Sequence, residues 1–194
     1  MKHTMLAGAV VLVMSATPAL AQNKPAHKAG TAKAHGAMAG DSHFVMNVAM
    51  DGTAEVEAAK LATEKAQNPQ VKSFGQRMAD DHGKANDELK TLAQNKNITL
   101  STTLDPKHKA TIDRFTKLSG DAFDRAYMQE MVRDHTKAVN ALRMESKSGH
   151  DPDVKAWAAK TLPTIEEHLK QAQEVNKTVG HVGTTGTVKK STKK

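Results

Sequence analysis

Two similar segments of this sequence each carry an aspartate followed by a histidine. Asp81-His82 lies in residues 74–86 and Asp134-His135 in residues 127–139, and the two segments, aligned without gaps, share six residues at equivalent positions. Both histidines fall on the apolar stripe of a helical pattern. Imidazole nitrogens are ligands for zinc, iron, copper and nickel, and inward-facing histidines also serve as hydrogen-bonded core residues. The repeat predicts one type of helix used twice in the same bundle.

Four long segments have the apolar spacing of three and four that is typical of helices, and strand signals are absent. Asn68-Pro69, Asp105-Pro106 and Asp151-Pro152 each combine a capping side chain with a proline at the first helical position. Gly120-Asp121 predicts the end of a short helix and the cap of the next long one. The predicted long helices cover about residues 42–67, 69–95, 121–148 and 152–177, and the short helix covers about residues 106–117.

The connections between these helices predict the fold. Tight turns join the first long helix to the second and the third to the fourth, which makes two antiparallel hairpins. The long connection between the second and third helices can cross the length of the bundle and leave those two helices parallel. The predicted fold class is all-α, a ferritin-like four-helix bundle with one long crossover that carries a short extra helix.

Four polar residues are predicted to lie at one depth in this bundle. His82 and His135 are each about 14 residues from a hairpin turn, and similar distances along the other two helices lead to Glu55 and His168. Glu55 belongs to the apolar stripe of its helix, and His168 completes an apolar run whose steps alternate between four and three. We therefore expect all four side chains to point inward.

This polar layer has two interpretations. Either its hydrogen bonds set the register of the helices, or it binds one transition metal ion, such as zinc, iron or copper, with Asp81 and Asp134 as further ligands or as groups that orient the rings. The Glu-x-x-His pairs typical of di-iron bundles are missing. The residues three positions before the histidines are instead Ala79, Val132 and Ile165. A dinuclear site is therefore not predicted.

Motifs for nucleophilic catalysis are also missing. The sequence has no cysteine, no Gly-x-Ser-x-Gly elbow and no glycine-rich phosphate loop. Whether the protein is an enzyme is left open by these residues, and no catalytic residue is predicted. If the protein is an enzyme, the alternative function is that of a metal-dependent oxidoreductase.

The N-terminal residues predict export. Lys2 and His3 precede an apolar stretch that ends at the small-residue site Ala19-Leu20-Ala21, a pattern typical of a secretory signal peptide over residues 1–21. The rest of the chain is predicted to form a disordered linker at 22–40, the bundle at 41–178 and a disordered basic tail at 179–194. We expect the protein in the periplasm or at the outer membrane.

The net charge of +7 is concentrated at the two ends of the chain. Residues 1–40 and 179–194 carry +8 together, which leaves −1 for residues 41–178. Because the predicted fold has no basic face, a nucleic-acid partner is not expected. The basic tails are expected to make weak contact with anionic lipid or cell-wall polymer. The oligomeric state is not predicted.

Several motifs resemble a known family. The chain is similar, over about residues 41–177, to the bacterial exported family catalogued as domain of unknown function 4142. The resemblance implies a ferritin-like fold and a periplasmic or outer-membrane location, and it implies no activity. It rests on motifs that recur in order, at residues 68–78, 81–82, 122–127, 131–135, 162–165 and 168–169.

A weaker likeness is to another small exported helical family with a Met-x-x-His-His core, which is linked with copper handling. Residues 123–127 and 131–135 resemble it, but Asp134 stands where that pattern has its first histidine. This departure weakens the implication of copper. The sequence thus predicts an exported helical bundle that binds a metal ion through a buried layer, with an oxidoreductase and a metal-free envelope interaction module as alternatives.

Overall fold

The structure, a computed structural model, describes residues 29–182, with side chains described over 39–180. This part of the chain forms five helices and no strand. None of these helices is both long and apolar enough to cross a membrane. The helices are α1 (Ala29–Lys65), α2 (Pro69–Asn95), α3 (Pro106–Thr116), α4 (Gly120–Ser148) and α5 (Pro152–Val182).

The first and last helices are longer than the sequence predicted. α1 begins at Ala29, so residues 29–40 are helical although their composition predicted a disordered linker. α5 continues to Val182 and includes the first residues of the predicted basic tail. Alanine is the strongest helix former and supplies five of residues 29–40, so α1 can extend beyond its apolar stripe. The predicted signal peptide and the rest of the tail lie outside the described residues.

Helix starts follow the capping pattern of the sequence with one exception. The side chain of Asn68 accepts a hydrogen bond from the backbone N–H of Gln70 at 2.8 Å, and that of Asp105 accepts from His108 N–H at 2.8 Å. The exception is α4, which begins at Gly120 itself, so Asp121 lies in the first turn and is not the cap. Gly120 has a φ of +56°, a backbone conformation that glycine adopts at little cost.

Contacts at the helix ends establish the topology. The carboxylate of Asp124, near the start of α4, accepts hydrogen bonds from the backbone N–H groups of Gln67 and Asn68, just before α2. Lys96, just after α2, forms ion pairs with Asp151 and Asp153 at the start of α5. α2 and α4 therefore start at the same end of the bundle and run parallel. The connection that contains α3 crosses between the ends, which confirms the ferritin-like arrangement.

The core consists of two apolar clusters. The first contains Phe74, Met78, Phe123 and Tyr127 together with Phe115 from the crossover helix. The second lies toward the other end of the helices and contains Val45, Leu89, Leu142, Trp157 and Ile165.

Candidate metal centre

One polar residue on each long helix separates the two apolar clusters. Along α2, for example, Met78 belongs to the first cluster and Leu89 to the second, with His82 between them. Glu55, His135 and His168 occupy the same place on the other three helices. Glu55 and His82 are each 7% exposed and the other two are fully buried. The inward orientation predicted for all four side chains is confirmed.

These four side chains contact one another. His82 Nε2 lies 2.8 Å from Glu55 Oε2 and 3.4 Å from His135 Nε2. The other oxygen of Glu55 lies 3.7 Å from His135 Nδ1. His168 packs against both histidine rings, with ring centres 5.4 and 5.5 Å away. One candidate ligand atom from each of the three histidines lies within 4.8 Å of the others.

Hydrogen bonds on their outer sides orient two of the rings. His135 Nδ1 lies 3.0 Å from the carbonyl oxygen of Met131, which can only accept, so Nδ1 carries the proton and Nε2 keeps its lone pair in the neutral ring. His168 Nε2 donates to Asp81 Oδ2 at 2.9 Å. His168 Nδ1 is buried and has no hydrogen-bond partner among the described residues. A carboxylate or carbonyl behind the ring is typical of metal-binding histidines.

Asp81 is itself held by residues nearer the surface. Arg77 Nε lies 3.3 Å from the same carboxylate oxygen that accepts from His168. The guanidinium group of Arg77 also donates to Glu167 and Gln171 on α5, each at 3.0 Å. The chain of contacts from Arg77 through Asp81 ends at the buried His168 ring.

The electrostatics leave two of the rings neutral. Burial acts to raise the pKa of Glu55, but the neighbouring His82 and His135 outweigh it and lower that pKa to about 2. Burial acts to lower the pKa of His82, and the Glu55 carboxylate outweighs it and raises that pKa. Burial lowers the pKa of His135, and it lowers the pKa of His168 to about 4. Neutral imidazole is the form that binds metal ions.

Asp134 is placed differently from its counterpart in the repeat. Its Oδ1 pairs with Lys137 at 2.9 Å, and the structure gives it no hydrogen bond or ion pair with the three described histidines. Burial raises the pKa of Asp134. Only Asp81 of the two predicted aspartates therefore contacts a histidine of the layer.

A cavity of about 570 Å³ reaches the polar layer from one side. Residues of all five helices line it, and Glu55 and His82 are among them. The sequence did not indicate this cavity, nor the roles of Arg77 and the Met131 carbonyl. Backbone carbonyls have no sequence signal, and a cavity depends on the spacing between helices.

The fold and the buried layer define a ferritin-like helical bundle with a histidine and carboxylate core. The chain belongs to the DUF4142 family, described as a domain of unknown function, whose family model matches residues 25–175. No curated protein matches the chain.

Solved structures of similar fold include three helical proteins. A DUF305 fragment from Deinococcus radiodurans superposes with a TM-score of 0.63 at 15% identity, covering 73% of this chain and 96% of that one. A DUF305 protein from Streptomyces coelicolor gives 0.61 at 14% identity, covering 73% and 92%. CopM in its Cu(II)-bound form gives 0.61 at 17% identity, covering 71% and 96%. At these identities the similarity shows a shared fold.

Proposed function

We propose that this protein is an exported metal-binding bundle that holds one transition metal ion in its core. The ligands are His82, His135 and His168, with the Glu55 carboxylate as the fourth. The observation that carries this proposal is the convergence of three buried imidazoles from three helices, with a candidate ligand atom from each within 4.8 Å of the others.

The separation of one nitrogen pair fits a tetrahedral ion. Two nitrogens bound at about 2.0–2.1 Å to a tetrahedral ion are about 3.4 Å apart. His82 Nε2 and His135 Nε2 are 3.4 Å apart. Binding replaces the proton that His82 Nε2 donates to Glu55. It also gives a partner to His168 Nδ1, which is buried without one among the described residues.

The ligand set favours particular ions. Imidazole nitrogens suit zinc, copper and iron, whereas calcium and magnesium prefer oxygen ligands. A dinuclear centre in such a bundle uses several bridging carboxylates, and of the carboxylates in the described part of the chain only Glu55 pairs with two of the three histidines. One zinc or copper ion per chain is the proposed occupancy.

Two further observations support a metal-binding role in the bacterial envelope. Residues 1–21 have the pattern of a signal peptide. One protein of similar fold, CopM, has been determined in a Cu(II)-bound form, so a bundle of this shape can hold such an ion.

Metal analysis of the full chain tests the proposal. The protein is purified without chelators, its zinc, copper, iron and nickel contents are measured, and the metal-free form is titrated with each ion. We expect one tightly bound ion per chain in the parent and none at that affinity in His135→Ala. If the spectrum of the metal-loaded protein does not change with peroxide or oxygen, the result favours metal binding without turnover over an oxidoreductase.

Surface histidines provide the control. His150 has an exposed side chain near the turn between α4 and α5, so His150→Ala tests for adventitious binding. This variant is expected to keep the tight ion. If His135→Ala binds metal as the parent does, the buried layer is not the site and serves only as a hydrogen-bonded register between helices.

A further inference from the structure

The cavity beside the polar layer extends well beyond Glu55 and His82. Its volume of about 570 Å³ falls within the range of roughly 300–1,000 Å³ typical of pockets for small organic molecules. It reaches the turn between α4 and α5, where Gly149 and His150 line it. The wall between these ends is apolar and includes Phe44, Val48, Leu142, Trp157 and Ile165.

Two polar atoms on residues of this wall lack partners. Trp157 is only 8% exposed, and its indole Nε1–H has no hydrogen-bond acceptor among the described residues. Glu145 Oε1 is also buried without a donor in the described part of the chain. Buried polar groups in proteins are nearly always hydrogen-bonded, so Glu145 Oε1 is left to accept from a donor on a molecule that enters the cavity, and a water that enters with it can accept from Trp157 Nε1–H.

The charge of the cavity favours a cation. Six carboxylates line it among the described residues. Four of them pair with a basic side chain: Asp51 with His108, Glu55 with His82, Glu130 with Arg114 and Asp134 with Lys137. The other two, Asp41 and Glu145, lie against each other. An excess of one charge in a cleft concentrates ions of the opposite sign. Phe44 and Trp157 meet edge to face with ring centres 6.3 Å apart, and the face of an indole is the most favourable aromatic surface for a cation.

We propose that this cavity binds a small organic cation, an amine carried on an apolar body. The apolar body lies against Phe44, Val48 and Ile165, and the ammonium group donates to Glu145 Oε1 and lies near the Trp157 ring. This site is distinct from the proposed metal centre, because none of the residues that carry it is among the four proposed metal ligands.

The protein contains its own probe for this site, since Trp157 is its only tryptophan. Metal-free full-length protein is titrated with 4-phenylbutylamine, 4-phenylbutanol and 4-phenylbutanoate while tryptophan emission is recorded. The three probes share one apolar body and differ in charge. We expect a saturable change with the amine at a Kd about tenfold or more below that of the alcohol, with the carboxylate weakest.

A matched pair of variants locates the amine. Glu145→Gln is expected to weaken amine binding about tenfold and to leave alcohol binding unchanged. Glu166→Gln is the control, since Glu166 pairs with Arg143 on the surface and does not line the cavity. Circular dichroism confirms that each variant is folded.

The probe series on the unmodified protein decides the outcome even if Glu145→Gln does not fold. Equal affinities for the three probes would overturn the preference for a cation. No saturable change with any probe would show that the cavity holds only water. Because metal is absent throughout, neither result depends on the proposed metal centre.

Discussion

The two Asp-His pairs of the repeat are alike in sequence and different in contacts. Asp81 accepts a hydrogen bond from His168 on α5, whereas Asp134 pairs with Lys137 on its own helix. Asp81 thus sets the orientation and tautomer of a neighbouring ring, and Asp134 does not. At the scale of single residues, Asp81 is the group that prepares His168 Nδ1 as a ligand.

Asp81→Asn is expected to lower metal affinity about 10–100-fold, because a neutral amide orients the His168 ring less firmly than a carboxylate. Competition with a chromophoric chelator measures the affinity. Asp80→Asn is the matched control, since Asp80 is the exposed neighbour on the same helix and accepts from Gln76. Equal affinities for the two variants would show that Asp81 does not orient a ligand.

At the scale of elements, the close approach of α1 and α2 depends on Gly75. A Cβ at Gly75 would lie 2.7 Å from the Ala62 Cβ and 3.2 Å from the carbonyl oxygen of Ala59. Gly83 on the same helix has nothing within 4 Å of such a Cβ among the described residues.

Gly75→Ala is expected to destabilise the protein by about 1–3 kcal/mol because the helices must move apart. Gly83→Ala is expected to stabilise it by up to about 1 kcal/mol through the better helix propensity of alanine. Urea unfolding measures both changes. Effects of the same sign would contradict the close packing between α1 and α2.

Glu130 links the crossover helix to α4. It is 5% exposed, accepts from Arg114 of α3 at 2.5 Å and pairs with Arg133. Burial acts to raise the pKa of Glu130, but Arg133 and Arg114 outweigh it and lower that pKa below its ordinary 4.5. A lowered folded-state pKa stabilises the protein above the unfolded value, and this contribution is lost as the pH falls through the folded-state pKa.

Glu130→Gln is therefore expected to cost about 1 kcal/mol at neutral pH, a figure kept small because both arginines are half exposed. The difference in unfolding free energy between Glu130→Gln and the parent should shrink as the pH falls below about 4.5. Urea unfolding at several pH values measures it. Glu88→Gln, which removes an exposed pair with Lys160, is the control and should have little effect at any pH. If the loss of unfolding free energy in Glu130→Gln does not change with pH, the ionised Glu130 carboxylate is not the source of the stabilisation.

At the scale of the whole molecule, the polar layer divides the core into two apolar halves. A ligand that binds only the folded state stabilises it by about 2.7 kcal/mol at 100 times its Kd. Added zinc or copper should therefore raise the Tm of the parent, a chelator should reverse the rise, and His135→Ala should not respond. A rise that survives in His135→Ala would place the ion elsewhere.

Most of the fold could be predicted from the sequence. Helical periodicity and the Asn-Pro and Asp-Pro starts located α2, α3 and α5, because caps and prolines act on the residues beside them. The extension of α1 back to Ala29 was not predicted, because residues 29–40 have no apolar stripe. Such a segment carries no pattern that distinguishes a solvated helix from a linker.

The sequence by itself determined which four residues meet in the core. The helical period puts Glu55 and the three histidines on apolar faces, and the hairpin lengths put them at one depth. Only the tertiary structure decided that Asp81 reaches His168 while Asp134 turns to Lys137, and that a cavity opens beside Glu55. Those features depend on the rotation and spacing of helices that are distant in sequence, and differences of an ångström there decide whether two side chains touch or leave a space.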